Sequence, residues 1–173
     1  MILNTKTLFR GINNICSIVK IFNASHEIPG MNSKEDVESF LGSKLNLQVP
    51  TIDETGYPNI QPVWFYHDKD KNRIYILTSS TAKKTLNVRN NSKVLVVDDC
   101  NIPYEGVKGR GTATIFRDQT TLISAAEKIS TKYNRSLDNP ASKSMIDRSK
   151  EQDAVVIEIN PKFFSTWDFG KMQ

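Results

Sequence analysis

Apolar positions along the chain change period twice, and each change marks an element. From Ser33 to about Leu45, Val37, Phe40 and Leu41 recur at helical spacing and predict one short helix. Ser33 can cap it, and Asp36 stands at the capping-box position. Period-two patterning then takes over. Leu47 to Ile52 reads as a strand, Asp53-Glu54-Thr55-Gly56 as a turn, and Asn59 to Tyr66 as a second strand. His67 to Asn72 reads as a polar hairpin loop, which leaves His67 solvated. Arg73 to Thr78 alternates, with Ile74, Ile76 and Thr78 on one face and Tyr75 and Leu77 on the other.

Ala82 to Asn90 reads as a helix with Leu86 and Val88 as its apolar positions. Lys93 to Asp98 carries Val94-Leu95-Val96-Val97 and reads as a buried strand. Tyr104 to Phe116 is a long strand whose glycines predict a bend or bulge. Asp118 can cap a helix running to about Tyr133, with Leu122, Ala125, Ala126 and Ile129 on one face. Leu137 to Lys150 is polar, and reads as irregular or as a second short helix. Asp153 to Ile159 is the last regular strand, followed by an aromatic tail with Phe163, Phe164, Trp167 and Phe169. Six strands with short connections predict a mainly β protein with flanking helices, a closed or partly closed antiparallel barrel.

Residues 1 to 30 are set apart as an N-terminal extension from a domain spanning 31 to 173. They hold Lys6, Arg10 and Lys20 against the single acid Glu27. Thr7 to Phe22 is compatible with an amphipathic helix, and the basic, acid-poor composition with a transit peptide. A disordered or appended tail ahead of Met31 is the favoured expectation.

Composition narrows the function classes. A chain of 173 residues suits one domain. It has no run of about 18 apolar residues, so no membrane span is expected. The net charge of +4 fits an anionic ligand but is too small and dispersed to predict nucleic-acid binding. Cys16 and Cys100 show no metal spacing and read as reduced thiols of a cytoplasmic protein. His26 and His67 stand alone, so no zinc site is expected.

One segment concentrates candidate chemistry. Thr78-Ser79-Ser80-Thr81-Ala82-Lys83-Lys84 places four hydroxyls and two ammonium groups where a strand ends and a helix begins. Helix N-terminal amides favour an anion there, hydroxyls can donate to phosphate oxygens, and lysines neutralise charge. On the residues alone, a polar turn with two solvated lysines is the better-supported reading.

Four ordered pieces change that balance. They are Gly56-Tyr57-Pro58-Asn59-Ile60-Gln61-Pro62-Val63-Trp64-Phe65, Ile74 to Lys84, Asn87 to Val94, and Gly109-Arg110-Gly111-Thr112-Ala113. Together they resemble the pyridoxamine 5'-phosphate oxidase-like family, the flavin split barrels. The resemblance implies a six-stranded antiparallel split β-barrel and a homodimer binding FMN between subunits. It implies that Thr78, Ser79, Lys83 and Lys84 grip the flavin phosphate, although relatives often carry Arg where this chain has Lys83. It implies that Gln61, Pro62, Val63 and Trp64 line the isoalloxazine ring, and that Gly109 and Gly111 lie on a strand at the dimer interface near the cofactor. Arg89 reads as a further phosphate or dimer contact, or as a solvated helix-end arginine. Trp167 resembles an aromatic that reaches the partner's flavin, with core packing as the competing reading. An oxidoreductase acting on a small molecule follows from the resemblance. The deazaflavin F420 is the alternative cofactor, and a non-catalytic flavin- or haem-binding protein the alternative class. No acid-base constellation stands out, as expected where a cofactor carries the hydride chemistry.

Overall fold

The computed structural model describes residues 19–31, 33–43, 46–99 and 104–172. Cys16, Cys100 and most of the predicted N-terminal helix lie outside them. The first described strand, β1 (Lys20–Asn23), overlaps the end of that predicted helix. It runs parallel to the last strand, pairing Lys20–Asn23 with Phe163–Thr166. The segment before residue 31 is therefore joined to the barrel where it is described. The Asp168 amide donates to the Pro29 carbonyl at 2.8 Å, and the Met31 amide to Thr166 Oγ1 at 2.9 Å.

Helix α1 (Lys34–Ser43) buries Val37, Phe40 and Leu41, as its spacing predicts. Its capping box is closed in both directions. The Asp36 amide donates to Ser33 Oγ at 3.0 Å, and the Ser33 amide to Asp36 Oδ2 at 3.2 Å. Strand β2 (Leu47–Ile52) turns into β3 (Pro58–Val63) through a loop organised by Asp53. Its Oδ1 accepts from the Thr55 amide, the Thr55 hydroxyl and the Tyr57 amide, and Gly56 takes φ 88°.

The second predicted strand is interrupted. It divides at Trp64 and Phe65 into β3 and β4 (Tyr66–Asp68), which lie at opposite ends of the sheet. The Phe65 amide leaves the ladder and donates to the Tyr133 hydroxyl at 3.1 Å, while its ring is fully buried. His67 consequently sits in β4, opposite Ile74, and is 6% exposed. The expectation of a solvated loop histidine is corrected. Its Nε2 lies 3.3 Å from Asn72 Oδ1, and burial holds its pKa below the ordinary histidine value.

Strand β5 (Arg73–Ser79) leads into α2 (Lys83–Asn90). This helix buries Thr85, Asn87 and Val88, whereas Leu86 is exposed. Positions 86 and 88 are two apart and do not share a helical face, which corrects the predicted apolar pair. Thr85 Oγ1 donates to the Ser79 carbonyl at 2.8 Å, and Asn87 Nδ2 to Thr51 Oγ1 at 2.9 Å, while Asn87 Oδ1 is buried without a partner.

Strands β6 (Lys93–Asp99) and β7 (Glu105–Phe116) pair antiparallel, and β7 carries the expected irregularity between Arg110 and Gly111. A Cβ on Gly111 would collide with the Asn160 carbonyl, so the close approach of β8 requires glycine. Helix α3 (Gln119–Asn134) is capped by Asp118, whose side chain accepts from the Thr121 amide. The polar stretch after it contains α4 (Pro140–Arg148), capped by Asn139 with Pro140 in its first turn. Strand β8 (Ala154–Asp168) absorbs the aromatic tail as far as Trp167, leaves Phe169 in a following 3-10 turn, and is far longer than the sequence predicts. Pro161 and its bulge conceal that continuity from a period-two reading.

Eight described strands form one curled sheet in the order β3-β2-β6-β7-β8-β5-β4, with β1 added to β8. The architecture is the expected mainly β half-barrel with flanking helices, with eight strands instead of six and one parallel pair. Phe65, Ile74, Ile76, Ile157, Ile159 and Phe164 fill the barrel, and α1 closes one end. Helix α3 packs Leu122 and Ala125 on Ala154 and Val156 of the other sheet face. Among the described residues no helix is long and apolar enough to cross a membrane. No described group of His, Cys, Asp and Glu is arranged to hold a metal.

Candidate functional site

Where β3 leaves its ladder, a cleft of about 520 Å³ opens between the strand ends and α4. Pro62, Val63 and Trp64 form one wall. Trp64 is held by α3: its ring stacks on Tyr133 with centroids 4.5 Å apart and planes 10° from parallel. Ile76, Leu77 and Thr78 at the end of β5 form a second wall, and Lys84 rises beside them from α2.

Lys84 is the electrostatic centre of this cleft. Its Nζ lies 3.5 Å from Thr78 Oγ1, and no described carboxylate comes within ion-pairing distance. Burial alone pushes its pKa below the usual lysine value. A half-buried ammonium without a countercharge is costly, and an anion bound beside it would offset that cost.

Helix α4 closes the cleft with Ala141, Ser144, Met145 and Arg148. Their spacing of i, i+3, i+4 and i+7 places all four on one helical face. Ile129 of α3 completes the apolar lining. The lining holds two cations, Lys84 and Arg148, and no acidic residue.

The cleft brings together five of the residues singled out in the sequence: Pro62, Val63, Trp64, Thr78 and Lys84. The others stand elsewhere. Lys83 points outward and binds both Glu54 carboxylate oxygens, at 2.8 and 3.0 Å. That bond holds the Lys83 pKa above, and the Glu54 pKa below, their ordinary values. Ser79 Oγ donates to Asp153 Oδ2 at 2.7 Å and also bonds the Thr81 hydroxyl. Arg89 is exposed at the last turn of α2. Gln61 alternates to the side of β3 away from Pro62, and its Oε1 is buried without a hydrogen-bond partner. Trp167 pairs across from Gly106, whose missing Cβ leaves room for the indole.

The sequence pattern does not single out Arg148, Met145 and Ser144, because the polar stretch Leu137 to Lys150 reads equally as irregular or as a short helix. The signal was present: Asn139-Pro140 is an N-cap followed by a first-turn proline, and a helix started there predicts the 141, 144, 145, 148 face.

A second cleft, of about 530 Å³, lies on the other side of α3 beside Tyr66 and His67. Two of its three lysines, Lys69 being the third, are already engaged. Lys128 pairs with Asp68 at 3.3 Å, and Lys132 donates to the Leu41 carbonyl while sitting 3.4 Å over the Phe65 ring. Glu127 adds an opposing charge. Of the two, the Lys84 cleft is the better anion site.

The family model described as pyridoxamine 5'-phosphate oxidase matches residues 33–168. The chain belongs to the pyridoxamine 5'-phosphate oxidase family. All the cleft-lining residues fall within the matched region. Solved structures with this family's fold are similar over most of the chain. A conserved hypothetical protein from Mycobacterium tuberculosis is 20% identical, with a TM-score of 0.74, covering 86% of this chain and 91% of that one. A protein described as an F420 reductase is 26% identical, with a TM-score of 0.57, covering 74% and 94%. The heme storage protein HutZ from Vibrio cholerae is 16% identical, with a TM-score of 0.60, covering 76% and 91%. No curated protein is a significant match in sequence.

Proposed function

We propose that this chain is an FMN-dependent oxidoreductase that holds the cofactor in the Lys84 cleft and acts on a small molecule. The observation that carries the reading is the half-buried, carboxylate-free Lys84 beside the Thr78 hydroxyl, in a cleft whose strand and α3 walls are apolar. A phosphate needs the first feature and a planar ring the second. The volume lies within the usual range for small-molecule sites.

In this reading Thr78 donates its hydroxyl to a phosphate oxygen, and Lys84 neutralises the group as a point charge. The Pro62–Trp64 segment flanks the ring, at the end of the edge strand β3. Val63, Ile76, Leu77 and Ile129 exclude water from the ring's surroundings. A bound flavin supplies the hydride chemistry, and the protein supplies position and electrostatics. Ser79 fixes the turn beside the site through Asp153, whereas Lys83 is engaged by Glu54 away from it.

A homodimer belongs to the same proposal. Tyr57, Ile60 and Trp64 are 72%, 59% and 47% exposed on and beside the edge strand β3, and Trp64 also lines the cleft. A second copy covering this band would remove apolar surface from water and screen the ring.

F420 is the second reading, favoured by the likeness to an F420 reductase. Titration of the purified protein with FMN and with F420, followed by flavin and deazaflavin fluorescence, distinguishes them. Saturable binding of FMN supports the first reading, and binding of F420 alone the second. Binding of neither overturns both.

A further inference from the structure

We infer that Arg148, contributed by α4, is a second cation of the phosphate site and sets selectivity for the phosphorylated cofactor over its dephosphorylated core. The inference rests on the reading of the Lys84 cleft as the flavin site, and it adds a residue and an element to which that reading assigns no role.

Three observations lead there. Arg148 lines the same cleft as Thr78 and Lys84. Among the described residues it has no ion-pair partner, although its helix also carries Asp147, which instead pairs with Lys150 at 2.9 Å. The cleft lining contains no acid that would satisfy either cation internally. An anion bound in the cleft shares its lining with both cations. Low-dielectric walls strengthen the attraction between them.

The local sequence explains why the arginine arrives there. Asn139 and Pro140 fix the start of α4, and the Ser142 amide donates to Asn139 Oδ1 at 2.9 Å. Ser142 is itself fully buried: its hydroxyl donates to the Ser136 carbonyl at 2.6 Å and accepts from Asn134 Nδ2 at 3.1 Å. These bonds fix the helix phase, and therefore which face carries position 148. Arg also exceeds Lys in this role, since its planar fork can donate two parallel bonds to phosphate oxygens.

The two cations differ in how they are held. Lys84 is half-buried on the barrel wall, whereas Arg148 is exposed on a helix outside it. The exposed arginine costs the ligand-free protein little, and its charge is recruited when an anion enters.

The test compares FMN with riboflavin, and F420 with its dephosphorylated core, on wild-type protein, Arg148→Ala, Arg148→Lys and Lys84→Ala. Dissociation constants come from fluorescence titration, and circular dichroism confirms that each variant is folded. The expected result is that Arg148→Ala weakens the phosphorylated ligand about tenfold or more while leaving the dephosphorylated one unchanged. Arg148→Lys should recover part of the loss, and added salt should shrink the wild-type preference. Arg148→Ala that leaves the preference intact, while Lys84→Ala abolishes it, overturns the role of Arg148 and spares the flavin site. Equal loss for both ligands also overturns it, because the residue then acts on packing. Wild-type protein that shows no preference for the phosphorylated form sinks the site reading and this inference together.

Discussion

Lys83 and Lys84 are neighbours of the same type at the start of the same helix, yet they belong to different regions of the molecule. Lys83 lies at an outer corner, where α2 meets the β2–β3 turn, and Glu54 grips it from across that corner. Lys84 faces the cleft, half-buried, with a threonine hydroxyl as its nearest polar neighbour. Consecutive helix positions point about 100° apart, so one residue of displacement decides between solvent and cleft. Their pKa values move in opposite directions for that reason: the carboxylate raises one, and burial lowers the other. A basic pair in a sequence is therefore two separate statements. The cation without a countercharge is the one positioned for a ligand.

Separate substitution of the two lysines gives the sharpest contrast. Lys84→Ala should weaken FMN binding about 10- to 100-fold, the range for losing a charge-assisted hydrogen bond. Lys83→Ala should change it only slightly, since its partner is an exposed carboxylate. Fluorescence titration measures both. Equal losses would erase the distinction drawn from the geometry. Lys84→Met should also raise the melting temperature of the ligand-free protein, because an apolar side chain replaces a half-buried charge with no countercharge. Calorimetry without cofactor checks this, and a lower melting temperature would show that the bond to Thr78 outweighs the cost of burying the charge.

The wall opposite Lys84 gives a smaller effect. Trp64→Ala removes a stack on Tyr133 and should destabilise the fold by about 1 kcal/mol, as aromatic pairs do. Urea unfolding reads the change. A shift confined to flavin affinity, with no loss of stability, would mean that the indole serves the ring alone.

His67 extends the contrast to a buried base outside the cleft. Burial lowers its pKa in the folded protein, with Asn72, Glu38 of α1, Lys69 and Asp68 as its polar surroundings. In the pH range just below the unfolded value of about 6.5, the unfolded chain binds this proton more readily than the folded one. The stability that the neutral imidazole contributes is therefore present above that value and lost as pH falls beneath it. Thermal unfolding at pH 7.5 and 5.5 should show a drop for wild-type protein that shrinks in His67→Gln. An identical drop in both would remove His67 as its source.

The smallest expected effect is at the outer corner. Glu54→Gln frees Lys83 and should alter neither melting temperature nor flavin affinity measurably, because exposed pairs are screened. A marked loss of affinity would mean that the corner holds α2, and with it Lys84, in place.

Much of this was legible along the chain, and the failures share a cause. The capping box at Ser33, the Asp118 cap and the bulge near Gly111 follow from local chemistry, and all stand in the structure. The break at Trp64 and Phe65 does not, because the Tyr133 hydroxyl that takes the Phe65 amide is distant in sequence. Likewise β8 looks like a strand plus an aromatic tail until β7 and β1 pair with its far half. Within the candidate site, Thr78 and Lys84 were visible as a polar strand-helix junction. What separated Lys84 from Lys83 was Glu54, which tertiary structure delivers from the preceding turn. Arg148 was obscured by the polarity of its surroundings, although its N-cap and proline stood in plain order.

The most direct test of the central claim is a crystal structure of the protein with its phosphate-bearing flavin or deazaflavin bound. The account predicts a phosphate oxygen within about 2.7–3.0 Å of Lys84 Nζ and of the Thr78 hydroxyl, with the ring beside Pro62–Trp64. A phosphate resting on Lys83 instead, or a cofactor bound outside this cleft, would contradict it.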